Sequence, residues 1–137
     1  MKEQLISLET AKLLKQKGIE ISSKYFYTDE FGLCYLGHDG EFLFNEEGKH
    51  QYDCNGEFEV GERYYAPTQS LVQKHLRENN IVIEINLDQT SYPKYCFSVY
   101  KYSDFGNWED IKNPDWGLYG KYESALEAGL QLSLKSM

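Results

Sequence analysis

A chain of 137 residues with 41% hydrophobic and 15% aromatic residues has the size and composition of one folded domain, which excludes an intrinsically disordered protein. No run approaches the roughly 18 consecutive apolar residues that a membrane-spanning helix needs, and the N-terminus lacks the pattern of a secretion signal, so we expect a cytoplasmic protein without membrane contact. The formal net charge of -8 argues against direct nucleic-acid binding, because phosphates would be repelled.

The first predicted element is a short helix over residues 7–18. Ser7 can cap its N-terminus, and Glu9 lies in the first turn, where the helix dipole favours a carboxylate. Gly18 stands where the left-handed residue that ends a helix belongs, and Ile19 can then contact Leu14. Because this helix exposes several polar side chains, we expect it to lie at the side of the domain.

Residues 22–65 have the texture of an acidic β meander. Short aromatic runs alternate with turns rich in Gly, Asp and Asn, and Asn55-Gly56 is a strong hairpin signal. The predicted strands cover residues 24–28, 33–37, 41–44, 49–53 and 57–60. Along these strands apolar and acidic residues alternate, which indicates that part of the acidic charge forms the solvated face of an antiparallel sheet.

The clearest pattern in the chain is a helix followed by a strand, over residues 66–87. Pro67 suits a helix start, and Thr68 can accept a hydrogen bond from the first free backbone N–H groups. Four side chains share one helical face: Leu71, Val72, His75 and Leu76. Asn79 and Asn80 tolerate the left-handed conformation that ends a helix. The period then changes to two, with four residues on one side of a strand: Ile81, Ile83, Ile85 and Leu87.

A second strand is predicted over residues 94–102, antiparallel to the first because only a short turn separates them. Its two faces carry Tyr95, Phe97 and Val99 on one side, and Cys96, Ser98, Tyr100 and Tyr102 on the other. The connector 103–120 contains Trp108 and Trp116, which are unusual in a solvated linker. We therefore expect it to pack down, with a short strand near residues 117–121.

The last predicted element is a helix over residues 122–135. Its buried stripe is expected to contain Tyr122, Ala125, Leu126, Gly129, Leu130, Ser133 and Leu134. The small residues of this stripe allow close approach to a sheet. Gly129 costs about 1 kcal/mol relative to Ala within a helix, and close packing could offset that cost.

Together these elements predict a single α+β domain over residues 1–137. It would consist of an antiparallel β meander or sheet, with the middle and closing helices packed on one face and the short N-terminal helix beside it. The part formed by residues 66–137 would contribute a helix, a β hairpin, the packed connector and the closing helix. The most buried residues are expected to include Leu71, Leu76, Ile83, Ile85, Phe97, Leu126 and Leu130.

Two runs support a resemblance to a known group of proteins. Ala-Pro-Thr-Gln-Ser-Leu-Val-Gln-Lys begins at Ala66, and Tyr-Glu-Ser-Ala-Leu-Glu-Ala-Gly-Leu begins at Tyr122. Together with a third run, Ala-Lys-Leu-Leu-Lys-Gln-Lys-Gly from Ala11 to Gly18, they resemble the signatures of a family of small uncharacterised bacterial proteins. Members of this family are often associated with phages or mobile elements. The sequence departs from that pattern at His75, where an aromatic residue is usual, and in a longer acidic stretch between residues 37 and 62. The family has no assigned activity, so the resemblance implies no catalytic residue.

Four residues have the chemistry of zinc ligands in mirror order, Cys34-x3-His38 and His50-x3-Cys54. A tetrahedral site needs every donor within about 2.0 to 2.3 Å of the metal. Two residues four positions apart on one strand are separated by about 13 Å, so one zinc ion reaches both only if the chain folds back.

A nucleophilic Cys would need positive charge nearby, whereas this segment is acidic. The simpler interpretation of these four residues is that the thiols are buried and the histidines are exposed. We therefore expect a protein that has no cofactor and is not an enzyme. The odd number of cysteines, with Cys96 as the third, fits reduced thiols.

The acidic charge is concentrated in residues 29–62, which carry a net charge of -9, against +2 before and -1 after them. The favoured hypothesis is a non-enzymatic interaction protein with a protein partner, a basic one in particular, and its candidate binding residues are Glu46, Glu47, Glu57 and Glu59. The simpler interpretation of these four charges, however, is that they only keep sheet edges from pairing between molecules. The alternatives are a small Cys/His enzyme or zinc-binding protein, and an aromatic surface for sugars or single-stranded nucleic acid around Trp108 and Trp116. The sequence leaves the oligomeric state open.

Overall fold

The computed structural model describes residues 3–29, 32–36, 42–43, 51–52, 62–88, 94–103, 106–111 and 117–137. Within these residues the chain forms three helices and eight strands, and every strand pairing is antiparallel, which confirms the predicted α+β class. None of these three helices is long and apolar enough to span a membrane. The chain divides into two compact units, Ile6–Pro67, and Met1–Leu5 together with Thr68–Met137.

The unit Ile6–Pro67 contains one helix and one sheet. The helix is α1 (Leu8–Gln16), and the strands are β1 (Tyr25–Thr28), β2 (Gly32–Leu36), β3 (Phe42–Leu43), β4 (Gln51–Tyr52) and β5 (Arg63–Tyr65). Their order in the sheet is β4-β3-β2-β1-β5. Four of the five predicted strands are thus present, and the one predicted over residues 57–60 lies outside the described residues.

Strand β5 was not predicted, and it changes the topology from a simple meander. It pairs with β1, so that Phe26 lies opposite Tyr65 and Thr28 lies opposite Arg63. The two strands are far apart in the sequence, and β5 contains only three residues. No local periodicity could reveal such a strand, because its stability depends on a partner that another part of the chain supplies.

Helix α1 is capped as the sequence predicts. The Ser7 side chain accepts a hydrogen bond from the Thr10 N–H (3.3 Å), and Gly18 adopts a φ of +72°. The Ile19 N–H then donates to the Leu14 carbonyl (2.9 Å), while the Gly18 N–H donates to that of Lys15 (3.1 Å). These two bonds satisfy carbonyls that the end of a helix would otherwise leave unpaired.

The second unit contains α2 (Gln69–Glu78), β6 (Ile81–Asp88), β7 (Lys94–Tyr102), β8 (Trp108–Ile111) and α3 (Tyr122–Lys135). Its sheet has the order β6-β7-β8. Helix α3 contacts β6 and β7, and α2 contacts β6 and α3. Thr68 caps α2 by accepting a hydrogen bond from the Leu71 N–H (3.3 Å), and Asn80 ends the helical segment with a φ of +66°.

The buried face of α2 differs from the predicted one. Leu71 is 42% exposed, whereas Gln69, Val72 and Leu76 are buried. The Gln69 side-chain amide donates to the Glu123 carbonyl (2.9 Å) and to the Glu127 carboxylate (3.2 Å). Because these hydrogen bonds satisfy the amide inside the unit, a polar residue takes the buried position that the sequence pattern assigned to a leucine.

The core prediction is otherwise confirmed for five of seven residues: Leu76, Ile83, Phe97, Leu126 and Leu130. Leu71 and Ile85 are the two errors, because Leu71 is exposed and Ile85 is only half-buried. Leu87, further along the same strand as Ile85, is exposed. The alternation within β6 is correct, but only the first half of its apolar face is fully covered. A strand pattern shows which residues share a face and not how far the covering elements extend.

Helix α3 lies very close to the sheet at Gly129, as predicted. A Cβ atom built on Gly129 would lie 2.9 Å from Ile83 Cγ2 and 3.3 Å from Phe97 Cδ2. Six of the seven predicted stripe residues are buried, and the exception is Tyr122, which is 44% exposed. The glycine therefore permits a helix-to-sheet distance that a side chain would obstruct.

The connector after β7 contains a strand at a different place from the predicted one. β8 (Trp108–Ile111) pairs with β7, whereas Tyr119 makes only an isolated bridge with Tyr95. Trp108 to Asp110 are all exposed, so this edge strand shows no alternation of apolar and polar residues. β8 is a strand because its backbone pairs with β7. A search for alternating buried and exposed residues therefore does not detect this strand.

Candidate functional site

One face of the three-stranded sheet carries α3, and the opposite face is the candidate site. Ile83 lies opposite Val99, and Val99 lies opposite Ile111, so these residues share the face on which α3 packs. Side chains alternate along a strand, and the neighbouring positions therefore point the other way. We call this side the outer sheet face and define it by six residues: Val82, Glu84, Tyr100, Tyr102, Trp108 and Asp110.

Two large aromatic rings lie in contact on the outer sheet face. Trp108 is 55% exposed and Tyr102 is 39% exposed, and their ring centroids are 5.0 Å apart at an interplanar angle of 58°. The two residues are direct partners in the pairing of β7 with β8. The end of β7 is also held by the Tyr102 N–H, which donates to the Asn80 carbonyl (2.8 Å). Trp108 is thus presented to solvent and does not pack down, contrary to the prediction for its connector.

A shallow cavity of about 330 Å³ lies beside the aromatic pair. It is lined by Val82, Glu84, Tyr100 and Trp108. Val82 and Tyr100 are direct partners across β6 and β7, and Asp110 lies opposite Tyr100 on the other side. The cavity therefore has aromatic and aliphatic walls with the Glu84 carboxylate at its margin, and a second carboxylate, that of Asp110, lies on β8.

The charge of the outer sheet face is negative at this end. Glu84 and Asp110 are both exposed acids. Lys94 points to the same face of β7, but it lies six residues before Tyr100, about 20 Å along the strand. An exposed aromatic pair with Asp110 nearby on β8, and with Glu84 on the adjoining cavity, offers a ligand both ring faces and negative charge. Exposed apolar groups gathered in one place commonly mark a binding surface.

Sequence reasoning recognised part of this surface and missed the rest. It placed Tyr100 and Tyr102 together on the face of β7 away from Phe97 and Val99, and two tyrosines on that side were a usable signal. It did not bring Trp108 to them, because β8 was missed. Only the pairing of β7 with β8 shows that the three rings belong to one surface.

Of the four predicted zinc ligands, the structure describes Cys34. This residue is buried on β2, where its thiol donates to the Gly32 carbonyl (3.6 Å) and lies 3.9 Å from the Thr28 hydroxyl. Burial raises the pKa of the Cys34 thiol, while the Thr28 hydrogen bond and the charge of Arg63 act in the opposite direction. A buried thiol that holds its proton is a poor nucleophile and a poor metal ligand.

The remaining predicted site residues lie outside the described residues. They are the zinc candidates His38, His50 and Cys54, and the partner-binding candidates Glu46, Glu47, Glu57 and Glu59. Both hypotheses about these positions stay predictions. In the part of the chain that the structure describes, no group of three or more His, Cys, Asp or Glu side chains is placed to hold a metal ion.

The two runs that carry the family resemblance form α2 and α3, which contact each other. Much of their apolar pattern is accounted for by burial, since Val72, Leu76, Leu126 and Leu130 all lie in the core. The resemblance stays a prediction, and it falls on residues that build the fold. No protein-family model, no curated protein and no solved structure matches the chain.

Proposed function

We propose that the protein is a non-enzymatic binding protein whose outer sheet face binds a basic segment of a protein partner. The observation that carries the proposal is the exposed contact between Trp108 and Tyr102, with the Asp110 carboxylate two positions along β8 from Trp108 and Glu84 lining the adjoining cavity. Each part of this arrangement favours a cationic side chain with an apolar stem.

The aromatic rings supply the first part of the argument. A Lys or Arg side chain can lay its aliphatic stem on a ring and place its charged group over the ring face, which attracts cations. Trp and Tyr also dominate binding energy at protein interfaces, because they bury a large area with little loss of side-chain freedom. Trp108 and Tyr102 are already held together by their strand pairing, so little further ordering is required.

The carboxylates supply the second part. Glu84 lines the cavity beside Trp108, and Asp110 stands opposite Tyr100 in the register. These acids would attract a basic segment and repel a phosphate backbone, which argues against nucleic acid as the ligand of this face. The net charge of -8 acts in the same direction by steering basic partners toward the protein.

The burial and raised pKa of Cys34 argue against a nucleophilic role for this thiol, because a nucleophilic Cys requires an accessible thiolate. The exposed acids of the outer sheet face can contribute to binding without any chemical step.

A fluorescence titration tests the proposal. The chain has two tryptophans, so Trp116→Phe leaves Trp108 as the only one. In this background, a synthetic peptide of repeating Lys-Leu-Gly units should produce a saturable change in emission, and raised salt should weaken its binding. The same peptide with Glu in place of Lys should not bind. Trp108→Ala should weaken binding of the Lys peptide about tenfold or more, measured by calorimetry.

Two controls separate this face from other surfaces. Tyr122→Ala removes another exposed aromatic ring, from α3, and should leave peptide affinity unchanged. Replacing Glu46, Glu47, Glu57 and Glu59 by Gln removes charge from the acidic segment instead, and the effect of Trp108→Ala should persist in that variant. The proposal fails if Trp108→Ala and Tyr122→Ala have equal effects, or if a cello-oligosaccharide or oligothymidylate binds at Trp108 while the Lys peptide does not.

A further inference from the structure

The unit Ile6–Pro67 contains a second cavity that the proposed function does not use. It is an open cleft of about 420 Å³ between α1, the segment that follows it, and β5. This volume lies within the range of about 300 to 1,000 Å³ that is typical of small-molecule sites. We call it the α1–β5 cleft.

One part of the α1–β5 cleft is apolar. Ala11 and Leu14 come from the buried side of α1, and Ile19 and Ile21 come from the segment after it. Both isoleucines are half-buried, so they present apolar surface to the cleft. The bond from the Ile19 N–H to the Leu14 carbonyl (2.9 Å) fixes the direction in which this segment leaves the helix. The apolar wall is therefore shaped by the capped end of α1.

The other part of the cleft contains cationic groups. The Lys15 ammonium donates to the Arg63 carbonyl (3.0 Å) and pairs with Glu62 (2.9 Å), so it joins α1 to β5. Through this contact Lys15 lowers the pKa of the Glu62 carboxyl. Arg63 lines the cleft, and its guanidinium carbon lies 5.2 Å from the centroid of the Phe26 ring. A ring uses the flat face of a guanidinium, whereas a carboxylate binds its edge, so the two contacts are compatible.

These features select one class of small ligand. The apolar wall favours a hydrocarbon chain or ring, and Arg63 favours a planar anion. Tyr65 also lines the cleft, and it is partly exposed. Among the described residues of the lining, Glu20 is the one acid, and because it is exposed it weakens the binding of an anion without preventing it. Residues 1–28, which supply α1, carry a net charge of +2 in a chain that is otherwise acidic.

We infer that the α1–β5 cleft binds a small amphipathic carboxylate, with its apolar part against Ile19 and Ile21 and its carboxylate at the Arg63 guanidinium. This binding is independent of the outer sheet face, since none of its residues belongs to that face. No chemical step is involved.

Three probes of matched design test the inference on the full chain. Octanoate carries both the tail and the charge, acetate carries the charge alone, and octylammonium carries the tail with the opposite charge. Calorimetry should show saturable binding, one ligand per chain, for octanoate only. Methyl NMR signals of Ile19 and Ile21 should shift with octanoate and not with acetate.

Substitutions of opposite expected effect identify the site. Arg63→Gln should weaken octanoate binding about tenfold, because it removes a charge-assisted hydrogen bond at a partly solvated position. Glu20→Gln should strengthen binding about twofold, because it removes an exposed repelling charge. Lys17→Gln is the matched control: it removes a cation from the same end of α1 that does not line the cleft, and affinity should not change.

A gain from Glu20→Gln cannot result from a damaged fold, so the inference can be judged even if Arg63→Gln unfolds the unit. Equal affinity for octanoate and octylammonium would overturn it, as would the absence of saturable octanoate binding. Equal effects of Arg63→Gln and Lys17→Gln would exclude the assigned position of the carboxylate.

Discussion

Gly129→Ala should destabilise the protein, although alanine is the better helix former. Alanine in place of glycine within a helix contributes about 1 kcal/mol of stability. At this position, however, the new Cβ would lie 2.9 Å from Ile83 Cγ2, well inside the roughly 3.5 to 4.0 Å of a favourable carbon contact. Ile83 is buried and β-branched, so the methyl group has little freedom to move away. Overpacking of this kind costs about 1 to 3 kcal/mol, so after the gain in helix propensity the net loss is about 1 kcal/mol at the middle of that range.

Urea unfolding followed by circular dichroism measures this loss, and two further variants show its cause. Ala128→Gly, at the adjacent half-buried position, reports helix propensity and should cost about 1 kcal/mol. Ile83→Leu keeps the side-chain volume but removes the branch at Cβ, so Gly129→Ala should be less harmful in that background. If Gly129→Ala raises the stability of the otherwise unchanged protein by about 1 kcal/mol, α3 does not lie as close to β6 as the structure places it.

Three further predictions follow from burial and capping. Leu76→Ala should lower the free energy of unfolding by about 2 to 5 kcal/mol, because Leu76 is fully buried. Leu71→Ala should change it by less than about 0.5 kcal/mol, because Leu71 is exposed. Equal effects of the two variants in urea titrations would contradict the assigned face of α2. Thr68→Ala should cost about 1 kcal/mol by removing the cap of α2, and Thr68→Ser should restore most of it. Burial raises the pKa of Cys34, so at alkaline pH the folded chain keeps a thiol proton that the unfolded chain loses. The stability that this difference contributes is fully present below the ordinary thiol pKa of about 8.5, and it is lost as the pH rises through the raised pKa of Cys34 in the folded chain. Cys34→Ala should flatten this decline in alkaline unfolding curves, and an unchanged slope in that variant would contradict the assignment.

The sequence by itself determined the elements whose stability comes from nearby residues. The ends of α1 were predictable because the Ser7 cap and the left-handed Gly18 act within a few positions of the helix they close. The strands β6 and β7 were predictable because alternation over eight and nine residues is typical of a strand with one buried face. The buried stripe of α3 was predictable from its helical period except at Tyr122, and its small residues, Gly129 among them, indicated a close approach to the sheet.

Only the tertiary structure decided the features that depend on distant partners. β5 is a strand because β1 lies beside it, and β8 is a strand because β7 does, although neither has a buried alternating pattern of its own. Gln69 is buried because α3 supplies oxygen acceptors for its amide, which no local pattern indicates. The same reason applies to both candidate sites: the contact of Trp108 with Tyr102 and the cleft between α1 and β5 are formed by segments that only folding brings together.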